Sequence, residues 1–165
     1  MLKEMSAIVP YRDFQEMAVM KRHHILILVI STLLTATCYA EQSKTFGEYT
    51  IHYSAFTTDT LSPEVAKQYR IPRSKNRAMV NLAILKNGDG PLGKPVKAKI
   101  EGAAKNLSEQ LRELNIREII EDNAIYYIAE TQINNEETLR YNFHITPEGE
   151  SSAYEVSFQE KFYSN

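Results

Sequence analysis

The most distinctive polar segment of the chain is residues 70–77, RIPRSKNR, which places four cations within eight residues. Arg73 and Arg77 offer planar guanidinium groups that bind carboxylates or phosphates bidentately, and Lys75 adds a point charge. Because the whole chain has a formal charge of −2, this segment is a candidate binding loop for an anion or an acidic partner surface. The alternative, which is the commoner case, is a solvated loop whose cations pair with acids such as Glu64.

A second candidate contact is the pair Tyr126 and Tyr127. Adjacent residues of a strand point to opposite faces of the sheet, so one of these two rings must lie on the outer face or at an interface. An exposed tyrosine is a good anchor for a partner.

Metal binding is an alternative that rests on two histidines. His52 and His144 both fall on the polar faces of predicted strands, and they would meet on one sheet face if their strands were neighbours. Imidazole and thioether ligands select copper, but beyond residue 40 the chain adds only Met79 to these two histidines. Because exposed histidines are more often solvated than ligating, the sequence gives no reason to expect a cofactor.

Catalytic motifs are missing from the sequence. It contains no G-x-S-x-G elbow, no glycine-rich phosphate loop, no H-E-x-x-H and no paired Cys or His at zinc spacing. Adjacent carboxylates such as Glu136 and Glu137 fall at predicted turns, where they most simply increase solubility. We therefore expect a protein that is not an enzyme and name no catalytic residue.

The segment that begins at Met20, MKRHHILILVISTLLTATCYA, has the pattern of a secretory signal. Lys21 and Arg22 form a positive region, residues 25–34 are apolar, and small residues precede a predicted cleavage between Ala40 and Glu41. An apolar run of about ten residues is short for a bilayer core of about 30 Å, so we expect cleavage rather than anchoring. The sequence therefore predicts a periplasmic protein.

Two further predictions concern the same region. Residues 1–19 carry acidic and polar groups that do not belong ahead of a signal, so we interpret them as an upstream extension and place the start at Met20. Cys38 is the only cysteine, and it would leave with the signal, so no disulfide is expected. Membrane association would require an uncleaved signal or lipidation of Cys38, which Thr37 in the preceding position disfavours.

The remaining residues, 41–165, form one domain of mildly acidic character, and a near-neutral charge excludes a polybasic nucleic-acid-binding class. Apolar side chains alternate with polar ones along most of this region, which predicts strands. The segment 77–86 is apolar on nearly both faces, as a central strand is. The predicted strands are Phe46–Phe56, 77–86, 94–103, 114–121, 124–133, 138–146 and 154–163.

Seven short strands separated by turn residues predict an all-β fold, an immunoglobulin-like antiparallel β-sandwich, with a small β-barrel as the alternative. One short helix is predicted at 62–69, because Ser62 can cap it and Pro63 suits its first position. The segment 106–115 has helical spacing of leucines, and we interpret it as a loop or short helical turn that leads into a strand at Leu114.

The segments LSPEVAKQYRIPRSKNRAMVNLAILK (61–86), DNAIYYIAETQI (122–133) and VSFQEKFY (156–163) resemble the bacterial family called domain of unknown function 4426. The resemblance covers residues 41 to 163 and implies a small secreted protein of Gram-negative bacteria, with no activity, ligand or catalytic residue to carry over. Together with the residues above, it predicts a non-catalytic binding or accessory module with a protein or cell-envelope partner.

Overall fold

The computed structural model describes residues 42–88 and 93–164, and these form two antiparallel β-sheets packed face to face. In the described residues ten strands occur, with one helix, α1 (Pro63–Gln68), and a short 3₁₀ turn at Thr58–Thr60. The strands are β1 (Gln42–Phe46), β2 (Tyr49–Thr57), β3 (Arg77–Lys86), β4 (Lys94–Pro95), β5 (Ala98–Asn106), β6 (Leu111–Glu113), β7 (Ile116–Glu121), β8 (Ala124–Gln132), β9 (Glu137–Pro147) and β10 (Tyr154–Phe162).

One sheet has the strand order β1-β2-β3-β8-β7, with β4 added to the end of β3, and the other has the order β10-β9-β5-β6. Within the described residues both sheets are open, so the β-sandwich prediction is confirmed and the small-barrel alternative is wrong. As predicted, β3 is a central strand, since it pairs with β2 on one side and β8 on the other.

Three predicted segments differ from the observed strands. The predicted strand Phe46–Phe56 starts too early: Phe46 is the last residue of β1, Gly47 reverses the chain with a positive φ of 56°, and β2 starts at Tyr49. The predicted strand 94–103 is divided, because β4 belongs to the first sheet and β5 to the second. The segment 106–115, interpreted as a loop or short helical turn, instead contains the end of β5 at Asn106 and, after a turn, the short strand β6, which pairs with β5.

The core lies between the two sheets and consists of the alternating side chains that the sequence indicated. From the first sheet come Ile51, Val80, Leu82 and Ile84, and from the second come Tyr141, Phe143, Ile145 and Val156, all at most 1% exposed. A second, smaller cluster of Ile71, Met79 and Ile128 lies on the other face of the first sheet. The helix prediction is confirmed: the Ser62 hydroxyl accepts a hydrogen bond from the Val65 amide at the start of α1.

The edge strands share one feature, which is a charged residue on the face that points into the sandwich. Directly opposite residues of neighbouring strands lie on the same face. Lys44 of β1 faces Ile51, Glu118 of β7 faces Tyr127, Arg112 of β6 faces Ala104, and Glu160 of β10 faces Leu139. Inward charges on edge strands oppose pairing with another sheet, because such pairing would bury the charge further.

Candidate functional site

The cationic loop between α1 and β3 is held in place by a buried threonine. Thr58 is 0% exposed; its hydroxyl donates to the Pro72 carbonyl oxygen at 2.7 Å and accepts from the Ser74 amide at 3.0 Å. The Ile133 amide donates to the Asn76 carbonyl oxygen at 3.0 Å, which ties the loop to the end of β8. The backbone that carries the predicted binding residues is therefore fixed before any partner arrives.

The three predicted cations of this loop have different surroundings. Arg73 is exposed; it donates to the Asp59 carbonyl oxygen at 2.7 Å, and its charge interacts with the Glu64 carboxylate. Lys75 is exposed at the tip of the loop. Arg77, at the start of β3, is half-buried and pairs with Glu130 of β8 at 3.4 Å. The alternative of cations paired with acids thus holds for Arg77, whose partner is Glu130, and the charge of Arg73 interacts with the suggested Glu64.

Glu130 is shared by two guanidinium groups. Its side chain is only 17% exposed, and one carboxylate oxygen lies 3.4 Å from Arg77 while the other lies 3.0 Å from Arg117 of β7. Two positive charges on one carboxylate leave one positive charge in excess at this point. Arg73 and Lys75 lie in the same loop, within four residues of Arg77.

A half-open cleft of about 910 Å³ lies between this loop, the end of β8 and the turn that follows it. Arg77, Arg112 and Glu130 are its charged lining residues. Most of the remaining lining is neutral but able to form hydrogen bonds: Ser74, Asn76, Thr131, Gln132, Asn134 and Asn135. The arrangement suits a polar ligand with several hydrogen-bonding groups and a negative charge.

Arg112 and Glu137 brace one side of this cleft. The Arg112 guanidinium lies 2.5 Å from a Glu137 oxygen and donates to the Gln132 carbonyl oxygen at 2.5 Å, so it links both sheets. Glu137 also accepts from the Asn134 amide at 2.8 Å. Burial opposes ionisation of this carboxyl, but the hydrogen bonds from Asn134 and Arg112 outweigh it and lower the pKa of Glu137.

The sequence did not identify this pair as part of a site. Arg112 lies in the segment interpreted as a loop or helical turn, and only its pairing opposite the fully buried Ala104 turns it inward. Glu137 was interpreted as a solubilising acid at a turn, whereas its side chain is 9% exposed. Alternation of polar and apolar residues along β6 would have shown that Arg112 faces inward, but a strand of three residues is too short to show alternation.

The two candidate metal ligands do not come together. His52 lies on β2 of the first sheet and His144 on β9 of the second. Both alternate with core residues, Ile51 and Ile145, and so project from opposite outer faces of a sandwich whose sheets pack about 10 Å apart. The two histidines therefore cannot share an ion. Over residues 42–88 and 93–164, no three His, Cys, Asp or Glu side chains form a group that could hold a metal.

Tyr126 and Tyr127 do point to opposite faces of the first sheet. Tyr127 is 4% exposed in the core, where its hydroxyl donates to Glu118 at 2.8 Å and accepts from the Ala98 amide at 2.8 Å. Burial, together with the Glu118 carboxylate, raises the pKa of Tyr127 to about 12. Tyr127 is thus too buried to anchor a partner, and of the two predicted contacts only the half-buried Tyr126 lies on the outer face.

The predicted cleavage between Ala40 and Glu41 and the lipidation candidate Cys38 lie outside the described residues. In the part of the chain that the structure describes, no helix is long and apolar enough to cross a membrane.

A family model described as a domain of unknown function (DUF4426) matches residues 43–165. The chain is similar to a solved DUF4426 family protein from Pseudomonas aeruginosa PAO1, with 31% identity and a TM-score of 0.66 over 78% of this chain and 98% of that one. No curated protein matches.

The chain is also similar to FetP from uropathogenic E. coli strain F11, with 12% identity and a TM-score of 0.53 over 76% of this chain and 95% of that one. A copper-bound variant of FetP matches with 12% identity and a TM-score of 0.54 over 76% of this chain and 97% of that one. At this identity the likeness to FetP shows the fold alone.

Proposed function

Since the chain belongs to the DUF4426 family, whose function is unknown, we propose from its own residues that it is a non-catalytic binding or accessory module of the cell envelope. The signal pattern from Met20 to Ala40 supports a periplasmic location for it. The family to which the chain belongs has no assigned catalytic activity. The described fold is a rigid scaffold that carries a polar cleft and a cationic loop.

The observation that carries this proposal is the surplus of positive charge around Glu130. Two guanidiniums, those of Arg77 and Arg117, share this single carboxylate, and Arg77 lies at the end of the cationic loop. Because the chain as a whole is net negative, this surface is electrostatically distinct. Complementary charge steers association and fixes the register of a complex, so the partner we propose has an acidic contact surface.

The test is crosslinking in cells, followed by capture of the protein and its partners. The double variant Arg73→Glu and Arg77→Glu reverses the charge of the loop and should abolish the capture of partners. The matched control, Lys99→Glu and Lys105→Glu, reverses two charges on β5 of the other sheet and should leave capture unchanged. An unchanged partner set in a folded Arg73/Arg77 variant would exclude the loop as the contact.

Location has its own test, which is the intact mass of the protein after the periplasm is separated from the membranes. We expect a soluble species that begins at Glu41. A membrane-bound species that begins at Met20, or one that begins at Cys38 with added lipid mass, would instead make the protein an anchored envelope component.

Copper binding is the second candidate, favoured by the shared fold with FetP, of which a copper-bound variant is known. The separation of His52 and His144 means that each would have to act without the other. Titration of the purified protein with copper, followed by the histidine NMR signals, tests this. Saturable binding that the His52→Gln or His144→Gln variant removes would support it, and unperturbed signals would exclude it.

A further inference from the structure

We propose that the 910 Å³ cleft is a binding site for an acidic peptide segment, and that Arg77 is the residue that receives its carboxylate. This inference rests on the proposed function, because it specifies the chemistry by which the module would hold a partner.

Arg77 is the guanidinium that can change partners at little cost. Its contact with Glu130 is long, at 3.4 Å, and 31% of its side chain is exposed. If Arg77 turned to a ligand, Glu130 would keep Arg117 at 3.0 Å and would not be left as an unpaired buried charge. The large penalty that normally opposes the opening of a buried ion pair is therefore reduced here.

Arg112 cannot play the same role. It holds Glu137 and the Gln132 carbonyl oxygen at 2.5 Å each, and the Glu137 side chain is only 9% exposed. Release of Arg112 would leave that carboxylate buried without its cation, which is costly. Arg112 is thus a positioning residue that fixes one side of the cleft, and Arg77 is the exchangeable group.

The walls of the cleft favour a peptide over a small acid. Clefts of about 300–1,000 Å³ hold ligands of drug size, and this one exceeds what a single carboxylic acid would fill. The amides of Asn76, Gln132, Asn134 and Asn135 supply both donors and acceptors, which match the N–H and C=O groups of a peptide backbone. Both walls are fixed, one by Thr58 and the other by Glu137, so ordering of the site costs little on binding.

The experiment is an NMR titration of the folded protein with a short acetylated peptide that has one central glutamate. The same peptide with glutamine and the small dicarboxylate glutarate serve as comparison probes. We expect saturable shifts of the Asn76 and Asn134 amides with the glutamate peptide, and at least about tenfold weaker binding of both other probes.

Three variants test the roles of the residues. Arg77→Gln should weaken binding of the glutamate peptide at least about tenfold, whereas Glu130→Gln should strengthen it, because the competing carboxylate is removed. Arg140→Gln, which removes an exposed arginine paired with Glu109, is the matched control and should change nothing.

The proposal is overturned if no probe binds at millimolar concentration, if Arg77→Gln binds as tightly as the parent, or if Glu130→Gln binds less tightly. Equal binding of glutarate and the peptide would also overturn it, in favour of a small organic acid. Loss of cellular partners in the Arg73/Arg77 variant without any peptide binding would refute the cleft and leave the loop proposal standing. Peptide binding with unchanged cellular partners would refute the loop proposal and leave the cleft proposal standing.

Discussion

Gly102 lies where a side chain has no room. A Cβ atom added to this residue of β5 would lie 2.4 and 2.5 Å from two ring carbons of Phe143, about 1 Å closer than ordinary van der Waals contact. Phe143 is fully buried, and its ring is stacked against Tyr141 and Phe158 at centroid distances of 6.2 Å each. The ring cannot move away without disturbing both neighbours, so Gly102→Ala should strain the core.

The expected cost follows from this geometry. Overpacking of a filled core costs about 1–3 kcal/mol, and a trapped aromatic ring belongs to the upper part of that range. The alanine recovers less than about 1 kcal/mol by restricting the unfolded chain. We therefore expect the free energy of unfolding to fall by about 2 kcal/mol and the melting temperature by about 8 °C, at about 4 °C per kcal/mol for a domain of this size.

The assay is urea denaturation and thermal unfolding followed by circular dichroism, in a double-mutant cycle with Phe143→Leu. The smaller leucine makes room for the new methyl group, so Gly102→Ala should cost much less in the Phe143→Leu background than in the parent. The same loss in both backgrounds, or no loss in the parent, would refute the reasoning that the ring of Phe143 requires a glycine at position 102.

Three further predictions concern polar groups. Thr58→Val should lower the free energy of unfolding by about 1–3 kcal/mol, because the Ser74 amide loses a buried partner, while Thr58→Ser should be milder; equal losses in urea denaturation would contradict this. Arg112→Gln should cost about 1.5–3 kcal/mol at pH 7. Because hydrogen bonds lower the pKa of Glu137 in the fold, that loss should shrink as the pH falls below the ordinary glutamate value, and a pH-independent loss would contradict it. Burial raises the pKa of Glu160, so its charge opposes folding at neutral pH. Glu160→Gln should therefore raise the melting temperature at pH 7, and this gain should disappear as the pH falls from the raised pKa of the folded state to below the ordinary glutamate pKa. A lower melting temperature of the variant at pH 7 would refute this.

Much of the fold could be predicted because the signals are local. The alternation in β9 and β10 follows from the period of two in a strand, and any chain with that pattern buries the same face. The helix at 63–68 was predictable because Ser62 and Pro63 act on the turn that immediately follows them. The family resemblance depended on these same contiguous residues, and it is confirmed by the match over residues 43–165.

The site was less predictable because its parts are distant in sequence. Arg77 was identified from the charge run around it, but its partner Glu130 lies 53 residues further along the chain. Arg112 gave no signal, because a strand of three residues is too short to show which face is buried. The sequence left Tyr126 and Tyr127 as alternatives for the outer face, because alternation shows that two neighbours face opposite ways and does not show which of them faces the core.

The sequence by itself determined most of the strands, the alternation of side chains along them, the capped helix and the presence of a cationic loop, since each depends on residues within a few positions of one another. Only the tertiary structure decided which strands are neighbours. That order placed His52 and His144 in different sheets, gave Glu130 two guanidiniums, and turned Arg112 inward onto Glu137. These outcomes depend on how two whole sheets pack, a balance of burial and charge pairing over the entire domain that no short segment encodes.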